Sequence, residues 1–137
     1  MSNWTHVTAT LSVDTYLNGT NKKVLKKVRK YLAKAPLITG SERNATVKYF
    51  IQDGHNWSSS DDCGNDIEGQ SCITITIQGN LRDKLAEETH VELLDYLHYI
   101  FKKFYIRDGS FGIEGEKTII GFIADEKTES RVIDNLE

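Results

Sequence analysis

Apolar and polar residues alternate along residues 6 to 14, His-Val-Thr-Ala-Thr-Leu-Ser-Val-Asp, placing Val7, Ala9, Leu11 and Val13 on one side of an extended chain. That spacing predicts a half-buried strand. Asn18-Gly19 then marks a turn, and Thr20 or Asn21 offers a cap for a helix in which Val24, Leu25, Val28, Leu32 and Ala35 oppose a lysine face. Pro36, the single proline, ends it. Alternation returns at residues 46 to 52, with Val47, Tyr49 and Ile51 on one side. It returns again after residue 71, where Ile73, Ile75 and Ile77 face away from Thr74, Thr76 and Gln78.

Gly79-Asn80 reads as a turn ahead of a second helix, which starts near Asp83 or Thr89 and runs to Phe104. Glu87 and Glu88 open it, Thr89 and Glu92 have capping-box spacing, and Lys102 and Lys103 suit its negative end. Its apolar stripe is Leu93, Leu94, Leu97, Ile100, Phe101 and Phe104. The last third is again strand-like, from Ser110 to Glu114 and from Thr118 to Ala124 around a Gly115 turn. Residues 125–137 form a polar tail, either frayed or folded into a short terminal helix.

This order of elements predicts an α+β fold: a ferredoxin-like βαββαβ sandwich, with a mostly antiparallel sheet, two helices on one face and an extra C-terminal hairpin. The 137 residues suit a single domain over 1–124 followed by the polar tail. No apolar run approaches the roughly 20 residues of a membrane helix, and the first residues lack the pattern of an export signal, so no membrane association and a cytoplasmic location are expected. Cys63 and Cys72 are then most simply free thiols, although their pairing stays open.

Charge changes the picture locally. Lys22, Lys23, Lys26, Lys27, Arg29, Lys30 and Lys34 crowd into thirteen positions, and taking these seven charges from a net of −3 leaves −10 on the remaining chain. Such a helix is either a solvated face or a surface that steers an anionic partner through residues such as Lys26 and Lys30. Of the outward strand positions only Phe50 is aromatic, which disfavours base stacking on the sheet and sequence-specific nucleic-acid binding.

The up-and-down course of the elements predicts that the loop Gly40-Ser41-Glu42-Arg43 and the segment Gly79-Asn80-Leu81-Arg82-Asp83 share one end of the sheet. Ser41, Arg43, Gly79, Asn80 and Arg82 would there form an anion cradle beside a helix N-terminus. The alternative is structural: Asp83 caps the helix, Arg82 pairs with Glu42 and Gly79 breaks the strand. The polar segment 53–71 is long for a small domain, and Trp57 is its candidate partner-binding residue. Its acids and His55 lack the spacing of a zinc or calcium site, so neither a metal nor a cofactor is predicted. His90 and His98 are eight positions apart on the second helix and are expected on its solvent side.

The stretches "NWTHVTATLSVD", "LITGSE" and "ITITIQGNLRD" resemble a family of small accessory proteins of bacteriophages and prophages of Gram-positive bacteria. The resemblance covers about the first hundred residues and implies a binding role in the host cytoplasm, as in blocking a defence enzyme or sequestering its nucleotide signal. No catalytic signature appears in the sequence, so the reading leans away from an enzyme. Three functions follow. The preferred one is a non-enzymatic protein that binds an anionic small molecule, or a host protein, as a host-defence antagonist. The second is a protein-interaction or nucleic-acid-mimic module using the acidic 53–71 flap. The third is a small metal-dependent hydrolase using His55, Asp53, Asp61 and Asp62. Self-association through the uncovered sheet face is compatible with each.

Overall fold

The structure, a computed structural model, describes residues 3–15, 22–52, 59–60, 66–67 and 72–134. Among these the elements run β1 (Trp4–Thr15), α1 (Lys22–Ala33), β2 (Thr46–Gln52), β3 (Ser59–Ser60), β4 (Asp66–Ile67), β5 (Cys72–Arg82), α2 (Ala86–Phe101), β6 (Phe104–Glu114), β7 (Ile119–Ala124) and α3 (Glu126–Asp134). Five strands make one antiparallel sheet in the order β2-β5-β1-β6-β7, and β3 pairs with β4 apart from it. The fold is α+β.

The period-two pattern decides which side of each strand is buried. Val7, Ala9, Leu11 and Val13 of β1 join Ile73, Ile75, Ile77 and Leu81 of β5 and Phe111 and Ile113 of β6 in one core. Val28 and Leu32 of α1 and Leu93, Tyr96, Leu97, Ile100 and Phe101 of α2 belong to the same core. Each such Leu or Ile side chain contributes roughly 1.5–3 kcal/mol when taken fully out of water. The alternate positions Thr8, Thr10, Lys48, Phe50, Gln78 and Ser110 are exposed. The two long helices meet through Tyr31 and Tyr99, whose rings stack at 4.2 Å and 12°, each hydroxyl donating to the other residue's carbonyl.

Several boundaries differ from expectation, each for a physical reason. Gly79-Asn80 is not a turn: β5 continues to Arg82, paired through Trp4↔Arg82 and His6↔Asn80 with a β1 that starts at Trp4. The chain turns at Asp83 instead, at φ 58°, and its N–H donates to the Asn3 carbonyl at 2.6 Å. Asp83 does not cap α2. Nor does Thr89, which lies buried inside the helix; the Glu88 carboxylate accepts the Leu85 N–H at 3.3 Å. Phe104 belongs to β6, because α2 stops at Phe101 and Phe104 and Ile106 alternate into the core. Pairing of β6 with β1 shifts between Ser12↔Asp108 and Val13↔Ile106, leaving Arg107 as the extra residue of a bulge. That displacement lets the Arg107 Nε donate to the buried Asp14 carboxylate at 2.7 Å.

The segment expected as a polar tail carries α3, anchored by buried Val132 and by the Glu129 carboxylate, which accepts the Ile106 N–H at 3.2 Å. Asp125 caps this helix through the Thr128 N–H at 3.0 Å, and that bond above all holds its carboxyl below the usual value. The expected Asn18-Gly19 turn, Trp57, Cys63, His55 and the acids at 53, 61 and 62 lie outside the described residues. No helix among the described residues is long and apolar enough to cross a membrane.

Candidate functional site

The 40–46 segment packs against the end of β5. The Ser41 N–H donates to the Arg82 carbonyl at 3.0 Å, and the Ala45 N–H donates to the Ile38 carbonyl at 2.8 Å. Thr39, immediately before that segment, ties it to α2, its hydroxyl donating to Glu92 at 2.6 Å, and Lys84 Nζ reaches that carboxylate at 2.9 Å. Burial resists the Glu92 charge, but the Thr39 and Lys84 contacts outweigh it and hold the carboxyl below its ordinary value.

Between this segment and the strands lies an open cleft of about 520 Å³. Its floor consists of the cross-strand pairs His6↔Asn80 and Thr8↔Gln78, its wall is Glu42 to Asn44, and Trp4 is a further lining residue. His6 Nδ1 and Asn80 Oδ1 share a hydrogen bond of 2.5 Å. Trp4 is 39% exposed, which leaves ring surface for a ligand.

Of the residues expected in an anion cradle, Arg43, Gly79 and Asn80 line the cleft together. Arg82 and Ser41 lie beside it and are engaged otherwise. Arg82 pairs with Glu42 and approaches Asp83 at 4.0 Å, while the Ser41 hydroxyl donates to Asp83 at 3.1 Å. An exposed ion pair of this kind is worth at most about 1 kcal/mol, yet it neutralises the Arg82 guanidinium at short range. Arg43 has no ion pair among the described residues and is exposed. Gly79 has a role other than closeness to a ligand: a Cβ there would stand 2.9 Å from the Cα and Cβ of Ala45. The glycine admits the 40–46 segment, and that segment makes the cleft wall.

Lys26 and Lys30 are exposed on α1. His90 and His98 are half-buried, not solvent-facing: the His90 ring tilts against Phe122 at 5.8 Å, and His98 Nε2 is buried with no hydrogen-bond partner among the described residues. Among the described residues no three His, Cys, Asp or Glu side chains come together as a metal site.

Trp4, His6, Gln78 and Thr46 are cleft residues that the sequence pattern does not single out. Their signal is strand register: β1–β5 pairing sets His6 opposite Asn80, and β2–β5 pairing sets Thr46 opposite Gln78. No family model, curated protein or solved structure matches this chain.

Proposed function

We propose that the chain is a non-enzymatic binding protein whose cleft takes a small anionic ligand of nucleotide-like chemistry. The observation that carries this reading is the Arg43 guanidinium, without an ion pair among the described residues, in a cleft that also offers an aromatic face and side-chain amides. A guanidinium supplies charge-assisted hydrogen bonds to a phosphate or carboxylate. The Trp4 ring supplies stacking surface for a planar group, and Asn80 and Gln78 present polar edges.

The resemblance to phage accessory proteins supports a biological setting in which such binding withholds a nucleotide signal from a host defence. Strand order supports a ferredoxin-like frame, since β2-β5-β1-β6 is the arrangement expected of a βαββαβ unit, with β7 added at its edge. Residues of α1 and α2 in one core with the inward strand positions support two helices on a single face.

Calorimetry of the full chain against a panel of mononucleotides and cyclic dinucleotides tests the proposal. The wild type is expected to bind at least one member, and Arg43→Ala to weaken that binding by roughly tenfold or more, the equivalent of a charge-assisted hydrogen bond. Absence of binding across the panel, or equal affinity in Arg43→Ala, overturns it.

A further inference from the structure

Strand β7 is an edge of the sheet without the usual protection. Its residues, Ile119-Ile-Gly-Phe-Ile-Ala124, include neither charge nor proline, whereas the other edge strand, β2, exposes Lys48 at its middle. A bare apolar edge is a template for pairing with another strand. Ile119 and Ile123 are 80% and 74% exposed.

The hairpin settles which backbone groups of β7 face outward. The Gly115 N–H donates to the Thr118 carbonyl at 2.7 Å, and the register continues through Ile113↔Ile120 and Phe111↔Phe122. Hydrogen-bonded and non-bonded pairs alternate, so residues 120, 122 and 124 bond to β6 while 119, 121 and 123 direct their N–H and C=O groups off the sheet. The Thr128 hydroxyl meets the Ile123 carbonyl there at 3.1 Å, and the oxygen keeps a second lone pair.

We propose that the chain forms a homodimer by antiparallel pairing of β7 with β7 of a second copy, about a two-fold axis at Gly121. In this register Gly121 faces the partner's Gly121 and Ile119 faces the partner's Ile123, so each outward-bonding residue meets another. The isoleucines form a cluster around the axis on one face. Lys117, which has no ion pair among the described residues, falls opposite the partner's Asp125. A slip of one residue would bring inward-bonding groups into the ladder and lose these pairs. The surface is self-complementary, as a two-fold interface requires. It lies across the sheet from the Arg43 cleft, and the proposal does not depend on that site.

Sedimentation equilibrium of the full chain over a concentration series tests it. The wild type is expected to dimerise. Ile123→Lys would break the isoleucine cluster with a charge, the usual device against edge pairing, and raise the dissociation constant by roughly tenfold or more. Phe50→Lys, on the opposite edge, is expected to leave the dimer intact, and Lys117→Glu to weaken it. A monomeric wild type, an Ile123→Lys protein that dimerises as well as wild type, or loss of the dimer only in Phe50→Lys overturns the proposal. If circular dichroism shows that Ile123→Lys is unfolded, wild-type amide exchange decides. Protection at Ile119, Gly121 and Ile123 that rises with concentration supports the dimer, and unchanged protection overturns it.

Discussion

Gly79 shows how one missing side chain organises the candidate site. With Ala45 packed 2.9 Å from where a Cβ would stand, Gly79→Ala must push back the backbone that carries Arg43 and Asn44. Overpacking of this kind costs roughly 1–3 kcal/mol. Urea unfolding is expected to show that loss in Gly79→Ala, with most of it recovered in the Gly79→Ala/Ala45→Gly double variant, because the two sites share one volume. Failure of the double variant to recover would mean that strand conformation, not the contact, requires the glycine. The glycine was legible as unusual, and Arg43 as a candidate cation, but the role of Gly79 was not. A glycine beside an asparagine has the composition of a turn, and only the position of Ala45 distinguishes a turn from a tightly packed strand.

At the level of elements, the contact between the 40–46 segment and α2 carries a pH dependence. Glu92 titrates below its ordinary value in the folded protein, so its contribution is fully present above the unfolded value of about 4.3 and is lost as pH falls through the lower folded one. Unfolding free energy of the wild type is therefore expected to decline on acidification below about pH 4–5, and Glu92→Gln to show a shallower acid limb in the same range. Parallel acid limbs would assign the loss to other carboxylates. Helices and strands with a clear single period, such as Val7 to Val13 and Ile73 to Ile77, were readable from the sequence. The α2–β6 junction was not, since Phe104 lies three and four positions after Phe101 and Ile100, across Lys102-Lys103, and two before Ile106, so it fits the stripe of a helix as well as the alternation of a strand. α3 escaped a firm reading for another reason: Val132 is its single buried residue, and apart from the exposed Ile133 the rest of its sequence is polar.

Across the whole molecule, stability is graded from the middle of the sheet outward. β1 has paired neighbours on both sides, while β2 and β7 each have one. Amide exchange should therefore be slowest at Leu11 and Val13 and faster at the outward-bonding positions of β2, as expected when edges open before centres. Faster exchange in β1 than in β2 would contradict the sheet order. Pairing across such sequence distances was legible only as an up-and-down topology, because register depends on contacts that no local pattern specifies. His6 and Asn80 are 74 positions apart and meet because β1 and β5 align.

The position of β1 also shapes how the chain reaches its final form. The central slat of the sheet is synthesised before either of its neighbours, so it leaves the ribosome with no strand to hold it until β5 emerges, and its second side stays bare until β6 follows. Closing loops of that length is slow, and the interval leaves a Val- and Leu-bearing strand open to stray partners. A circular permutant that moves β1 behind β7 would shorten the wait for β6 and should refold faster than the natural order, even at equal stability.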